Sequence, residues 1–437
     1  MLLLAFAIAN VITVLILVKK GYRLKNLLNM VLKGILECKS VFIIILLMGA
    51  TISAWLSSGI VPSLIYYGFN YMKGVNFILA AFFSTLIVSY VMGTACGTLS
   101  TIGIAMLGIG RGLGIPVPVL LGAIVSGSFI ADKIAPISSL NNLTIQMTDV
   151  SYGEYLKSAI RTLIPTVLLT VMVYYFLSFK YTGGVDGEII YKYQGFISYA
   201  FSISPFFLLF PLLVIILAFS GLNIMYNMSI GVAAASLITI FIQKKGLLYL
   251  VHSILWGYRA QTGMPELDAL ISGGGIIPMI EVVLIVVGGV SLSALFEGAQ
   301  LLKPLAEALY KENDGKFRLI AKTGFLSIAL TAITCDQTVG ILIPARFSAE
   351  KFDNMGIKRS VLARTISDTG TIVAPLMPWN VNALIITGIT GVSAISYGPY
   401  AVLCFINPII TLLSGAIGDR VRTQHSDFGN QHLELRT

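Results

Sequence analysis

With 437 residues the chain is long enough for about three soluble domains. Composition excludes them: 56% of residues are hydrophobic and 11% charged, against roughly 25% charged in soluble proteins, and mean hydropathy is +0.88. So few charges cannot cover a water-facing surface, which makes this an integral membrane protein, and its net charge of +9 fits basic cytoplasmic loops better than nucleic-acid binding.

Runs of about 17–25 apolar residues mark membrane helices. They are predicted over 2–18, 41–57, 76–92, 116–131, 159–178, 196–218, 221–243, 274–296, 319–334, 382–396 and 399–417. The apolar start is followed by Lys19 and Lys20. A cleaved signal would carry its charge before the apolar core, so 2–18 reads as a first membrane helix. The stretches 98–110 and 338–347 look shorter or broken, 180–195 is the most loop-like interior piece, and 419–437 is a polar tail. Cys38, Cys96, Cys335 and Cys404 form no CxxC, and two of the three histidines lie in the tail. Neither a disulfide framework, a zinc site nor a cofactor is expected.

Sliding the halves past each other exposes a repeat. Ser53-Ala54 matches Ser293-Ala294, and Thr94 and Thr98 match Thr334 and Thr338, at an offset of 240. Ala135-Pro136 and Asn141 match Ala374-Pro375 and Asn380 at 239, one gap away. Loop charge gives the orientation of the copies. Lys19, Lys20, Arg23, Lys25, Lys33 and Lys39 flank the first copy where 259–273 offers only Arg259. The next pairs reverse: Lys73 against Lys303, Lys311, Lys316 and Arg318, then Arg111 against Arg346, Lys351, Lys358 and Arg359. That alternation is what inverted copies produce under the positive-inside rule, with Lys244 and Lys245 counting against it. The expected organisation is one transmembrane domain over 1–418, with repeat 1 at about 19–150, connecting helices at about 151–243 and repeat 2 at about 244–418.

In each copy the apolar pattern collapses once, at Asp132-Lys133-Ile134-Ala135-Pro136-Ile137-Ser138-Ser139-Leu140-Asn141-Asn142 and at Asp368-Thr369-Gly370-Thr371 through Pro375, Pro378, Trp379 and Asn380. Pro and Gly beside Ser, Thr and Asn leave backbone groups unpaired, which membrane depth tolerates only inside protein or along a wet cavity. Ordinary interhelical loops are the plainer reading. A small-residue turn precedes each: Gly93-Thr94-Ala95-Cys96-Gly97-Thr98 and Thr334-Cys335-Asp336-Gln337-Thr338. These hydroxyls and the amide suit a dehydrated cation, although close helix packing also explains Gly93 and Gly97.

Acids distinguish the copies, with Asp132 opposite Thr371, Asp336 opposite Cys96 and Asp368 opposite Phe129. A carboxylate within a membrane segment is costly and marks function by default. Burial disfavours its charge and a bound cation restores it, so one group can exchange a proton for Na+. Pairing of Asp132 with Lys133, or of Asp368 with Arg364, would be merely structural. Glu281 is a fourth candidate. Asp368-Thr-Gly resembles an aspartic-protease triplet, but no second one exists. Gly108 to Gly114 lacks nucleotide-loop spacing. No nucleophile–base pair indicates an enzyme.

The blocks GTACGTLSTIGIAMLGIGRGLGIP (93–116), ADKIAPISSLNNL (131–143), CDQTVGILIPARF (335–347) and RTISDTGTIVAPLMPWN (364–380) resemble the NhaC-type Na+/H+ antiporter family, within the ion-transporter superfamily, and the resemblance covers nearly the whole chain. It implies an all-α polytopic membrane protein of about 10–12 segments, with two inverted-topology repeats and paired re-entrant hairpins. It implies cation/proton exchange by alternating access, in some members with an organic anion. Its site would comprise Asp132, Asp336, Gln337, Thr338, Asp368, Thr369, Gly370, Thr371, Trp379 and Asn380, to which the residue reading adds Thr94, Thr98, Ser138, Ser139, Asn141 and Asn142, with transported Na+ on Asp336 and Asp132. Two family acids are absent: Ser139-Leu140-Asn141 stands where the family has SPLSDTTN, and Ser367-Asp368 where it has Glu-Asp. Ala131 replaces a glycine before Asp132. The expected function is therefore Na+/H+ antiport, the alternative a Na+- or H+-coupled small organic anion transporter. Expected partners are small ions, lipid and a second copy in a homodimer in the cell membrane.

Overall fold

A computed structural model describes residues 2–71, 76–181, 187–219, 222, 224–302, 304, 307, 309 and 315–415. Among these residues eight helices are long and apolar enough to cross a bilayer, and one further pair is bent by 57° at a break. No strand occurs among the described residues, where an isolated bridge joins Tyr258 and Gly273. The chain is a multi-pass, all-helical membrane protein, as hydrocarbon demands of any segment that must pair its own backbone.

The first half runs α1 (Leu2–Lys19), α2 (Leu24–Glu37), α3 (Lys39–Ser57), α4 (Ile60–Tyr71) and α5 (Phe77–Met92). Then come α6 (Ala95–Thr98), a π-turn (Leu99–Gly103), α7 (Ile104–Gly112), α8 (Val117–Ser128), α9 (Ile130–Ile134) and α10 (Ser139–Thr148). Between the halves lie α11 (Tyr152–Tyr181), α12 (Gly187–Ala200), α13 (Leu209–Phe219), α14 (Ile224–Phe241), α15 (Leu247–Trp256) and α16 (Pro265–Leu270). The second half has α17 (Ile276–Gly298), α18 (Lys316–Thr334), α19 (Gln337–Asn354), α20 (Arg359–Ile366), a π-turn (Ser367–Thr371), α21 (Val381–Thr390), α22 (Ala394–Tyr397) and α23 (Val402–Gly415).

Burial sorts the spans. The Val117–Ile134 window is 83% buried and lies at the centre, whereas α1 is 17% buried and turns Leu4, Val11, Ile12 and Leu15 outward. Apolar side chains facing outward are stable only against lipid. Around α8 packs a core that includes Trp55, Phe69, Phe77, Phe82 and Phe129. Tyr174 closes it by donating to Ser126 Oγ at 2.6 Å.

Two sequence expectations change. The span 196–218 is broken: α12 ends at Ala200, and a 3-10 turn (Pro205–Leu208) precedes α13. Pro205 has no amide to donate and holds Ser204 extended, where the Ser204 hydroxyl accepts from Phe206 N–H. The span 382–396 likewise ends early, because Gly391 takes a left-handed conformation (φ 71°) after α21. The loop-like 180–195 is helical from Gly187, while 182–186 and the polar tail lie outside the described residues. The stretch 338–347 belongs to an 18-residue helix, α19, that carries Pro344 inside it. Helices α2, α4, α10 and α15 are additional.

The repeat is tighter than residue matching indicates. Ala95 and Gln337, Gly112 and Asn354, Val117 and Arg359, Ser139 and Val381, Thr148 and Thr390, and Tyr152 and Ala394 are matching helix boundaries. Each pair is separated by 242 (337 minus 95; 381 minus 139), with no gap. This shifts the correspondence: Asp336 stands opposite Thr94 and Asp368 opposite Ser126, rather than Cys96 and Phe129. Alanine, proline and threonine are common enough to match out of register, whereas a helix cap occupies one backbone position.

At Gly127 on α8, an added Cβ would meet the Phe82 carbonyl, the Leu86 amide and the Thr85 hydroxyl of α5. Gly127→Ala is therefore expected to cost about 1–3 kcal/mol of overpacking. Gly153→Ala, with nothing within 4 Å, should stay within about 0.5 kcal/mol. Thermal melts of the purified variants in detergent check the difference.

Candidate functional site

Each half contains two interruptions, and each is closed by a side-chain cap. α5 ends on Gly93 in a left-handed conformation (φ 67°), and Thr94 restarts the chain by accepting from Gly97 N–H at 3.4 Å. α18 ends on Cys335, also left-handed (φ 60°), and Asp336 restarts it by accepting from Thr338 N–H at 3.2 Å. The second interruptions are capped by Ser138, accepting from Asn141 N–H at 3.5 Å, and Asn380, accepting from Asn382 N–H at 3.0 Å. Asn141 Nδ2 donates to the Ala135 carbonyl at 2.9 Å and Asn142 Nδ2 to that of Pro136 at 3.1 Å. The Asn-rich stretch thus satisfies carbonyls that the break leaves unpaired.

These interruptions meet at a cavity of about 1030 Å³. Asp132, Asp336, Thr94, Ser139, Gln337 and Thr338 line it, joined by Cys96 and Asn382. Asp132 is 8% exposed and lies near the Ala95 amide at the start of α6. Asp336 accepts from the Thr338 amide at the start of α19. Each carboxylate therefore faces the positive end of an interrupted helix. Asn382 ties the halves together, donating to Gln337 Oε1 at 2.9 Å and accepting from Cys96 Sγ at 3.6 Å. Gln337 Nε2 donates to the Thr371 carbonyl at 2.6 Å. Neither Asp132 nor Asp336 has a basic partner among the described residues.

Asp368 lies elsewhere. It is fully buried and paired with Lys133 Nζ at 2.5 Å, not with Arg364. Thr162 and Thr411 donate to its Oδ2 at 2.6 and 2.5 Å. Lys133 also donates to Asn407 Oδ1 at 2.9 Å, and Thr166 does the same. Tyr155 bonds the Lys133 carbonyl at 2.5 Å and Ser367 Oγ at 2.9 Å. This buried cluster joins α9 to the second π-turn and to α11 and α23.

Of the other expected site residues, Thr98 and Thr369 turn their hydroxyls onto the carbonyls of Thr94 (2.9 Å) and Thr365 (2.6 Å). Trp379 is half exposed and donates to the Ala332 carbonyl at 2.8 Å. Ser138, Asn141, Asn142, Thr371 and Asn380 lie behind the cavity wall as caps and carbonyl partners. Glu281 is exposed and outside the cavity. Sequence reasoning missed Glu37 and Glu297 in the lining, because both sit at helix ends where charge is unremarkable. It also missed the cluster around Asp368, although Thr162, Thr166 and Thr170 at four-residue spacing mark a buried polar stripe on α11.

A model of the Na+/H+ antiporter family matches residues 141–418. The chain is 29% identical over 399 residues to the Na+/H+ antiporter NhaC of Bacillus subtilis, covering 91% of this chain and 88% of that one. It is 27% identical over 416 residues to the malate-2H+/Na+-lactate antiporter of the same organism, covering 95% and 89%. It is 27% identical over 401 residues to the arginine/ornithine antiporter ArcD of Halobacterium salinarum, covering 91% and 83%.

Removing one partner of a buried pair strands the other charge, at about 3–5 kcal/mol, whereas replacing both by apolar groups is close to neutral. Lys133→Met and Asp368→Leu should each destabilise strongly, and the double variant should recover most of the loss. Melting of the four proteins in one detergent gives this cycle directly.

Proposed function

The chain belongs to the Na+/H+ antiporter family, and from that membership we propose that it exchanges Na+ for protons through Asp132 and Asp336. It is a transporter rather than an enzyme. The observation that carries the proposal is the pair of cavity-lining carboxylates at opposed helix breaks, without a basic partner among the described residues. An uncompensated carboxylate in a membrane domain is stable when protonated or when it holds a cation, so the two occupants compete for the same oxygens. Thr94, Thr338, Gln337 and Asn382 supply neutral oxygens beside them, suited to an ion that has shed water. Asp368, already neutralised by Lys133, is a fixed joint between the halves rather than a carrier.

The two halves are inverted copies in this reading, and they rock about the shared breaks to expose the site to one side at a time. In this reading the basic flank around Lys33 and the adjoining cavity mouth face the cytoplasm, as the positive-inside rule favours. An organic-anion cargo fits less well, since a carboxylate would enter beside unpaired carboxylates.

Asp336→Asn and Asp132→Asn keep shape and hydrogen bonding while removing titration, so each should fold within about 1 kcal/mol of the parent. Na+-driven proton flux in proteoliposomes should fall to the level of protein-free liposomes. In the parent, apparent Na+ affinity should weaken as pH falls, by up to about tenfold per pH unit where one proton competes. Near-normal flux with an unchanged pH profile in Asp336→Asn would remove it as the carrier.

Inversion is checked by labelling. In a cysteine-free background, Lys33→Cys should react with an impermeant maleimide only from the cytoplasmic side and Arg259→Cys only from outside. Reaction of both from one side would discard the inverted arrangement.

A further inference from the structure

Helix α11 has two contrasting faces. Its inward stripe is polar, with Tyr155, Thr162, Thr166 and Thr170 buried. Its outward stripe, Lys157, Arg161, Ile164, Leu168 and Met172, repeats at three- and four-residue spacing and is exposed throughout. The apolar part of that stripe is stable only against lipid. Lysine and arginine at the end of a span are common, because their long stems let the charge reach the headgroups. Alone, they mark only where the hydrocarbon stops.

Arg364 on α20 is different. It is 6% exposed, and its Nε is buried without a partner. Its Nη2 donates to Ser414 Oγ on α23 at 3.3 Å, and Arg161 lies near it. No carboxylate is within ion-pair distance of Arg364 or Arg161 among the described residues. Asp368, the next acid along the chain, is taken by Lys133, so this buried group holds two cations and one acid. Of the neighbouring charges, Arg359 is held by Asp353 and Asp149, and Glu154 is exposed, bonded to Ser151 and near Lys157 and Lys358. A buried guanidinium without a counter-charge is costly, and a second cation beside it adds to the cost. An anion bound between them relieves both.

We propose that Arg161 and Arg364 bind the phosphate of an anionic phospholipid whose acyl chains lie along Ile164, Leu168 and Met172. Guanidinium groups match phosphate oxygens with paired donors, and basic pockets between transmembrane helices are where such headgroups bind. A zwitterionic lipid carries its own ammonium and would bring a further cation to the pair. Free phosphate has the same oxygens but gains nothing from the apolar stripe. The bound headgroup bridges α11 and α20 beside the Lys133–Asp368 pair, so it braces the joint between the halves. This inference is independent of the cargo and of the exchange reading for Asp132 and Asp336.

The test uses the full-length chain, purified in detergent and stripped of lipid. It is titrated with dioctanoyl phosphatidylglycerol, with phosphatidylcholine of the same chain length, and with inorganic phosphate, while its melting temperature is followed. Phosphatidylglycerol is expected to raise that temperature saturably, and the other two are expected to leave it unchanged. Arg364→Gln should weaken the apparent affinity about tenfold, or ~1.4 kcal/mol, and Arg161→Gln about fivefold, or ~1 kcal/mol. Without lipid, Arg364→Gln should melt no lower than the parent, since it removes a charge that the protein alone leaves uncompensated. Lys180→Gln, exposed at the other end of α11, should bind as the parent does. An equal rise with phosphatidylcholine or with inorganic phosphate, or an undiminished response in Arg161→Gln, would each overturn the proposal. Arg161 is exposed, so its variant keeps the test decisive even where Arg364→Gln fails to fold.

Discussion

Everything in this fold answers to one constraint: a backbone amide or carbonyl inside a membrane domain must be paired, at a cost of several kcal/mol if it is not. Regular helices meet it automatically. The four interruptions meet it locally, through the caps of Thr94, Ser138, Asp336 and Asn380 and through Asn141 and Asn142 on carbonyls that α9 leaves behind. The polar residues that look anomalous in an apolar sequence are largely this repair. Once interrupted, a helix presents aligned amides at its new N-terminus, where a carboxylate is accommodated, and free carbonyls at the other side of the break, where a cation is.

The same repeat of breaks carries three acids with different fates. Asp368 is held by Lys133 and by two threonine hydroxyls, in a cluster that binds the first half to the second. Coulombic attraction there offsets the desolvation of both charges only because hydrogen bonds saturate the remaining sites. Asp336 accepts from the Thr338 amide, and neither it nor Asp132 has a basic partner among the described residues. What separates the three acids is the presence or absence of a basic partner, not residue type. Placing the rigid pair one residue from Asp132 also fixes the segment that carries it, since Lys133 anchors α9 from behind while its neighbour faces the cavity.

The glycines serve close approach more than flexibility. Gly127 lets α8 lie against α5, and a side chain at Gly340 would strike the Thr331 hydroxyl and one at Gly370 the Ser327 hydroxyl of α18. Small-residue contacts of this kind replace the hydrophobic driving force that lipid does not supply between helices.

By itself the sequence determined the membrane class, the main apolar spans and the family, because hydropathy and long motif blocks are local properties of the chain. It also marked Asp132, Asp336 and Asp368 as acids within apolar stretches, since charge there is visible without coordinates. Only the tertiary structure decided that Lys133, adjacent to Asp132, neutralises Asp368 across 235 positions (368 minus 133). It likewise decided that Glu297 joins the cavity, that the span 196–218 is divided at Pro205, and that the repeat runs at 242 rather than 240. Ion pairing and cavity lining depend on which helix faces pack together, and identical local patterns leave that choice open until burial of the whole bundle fixes it.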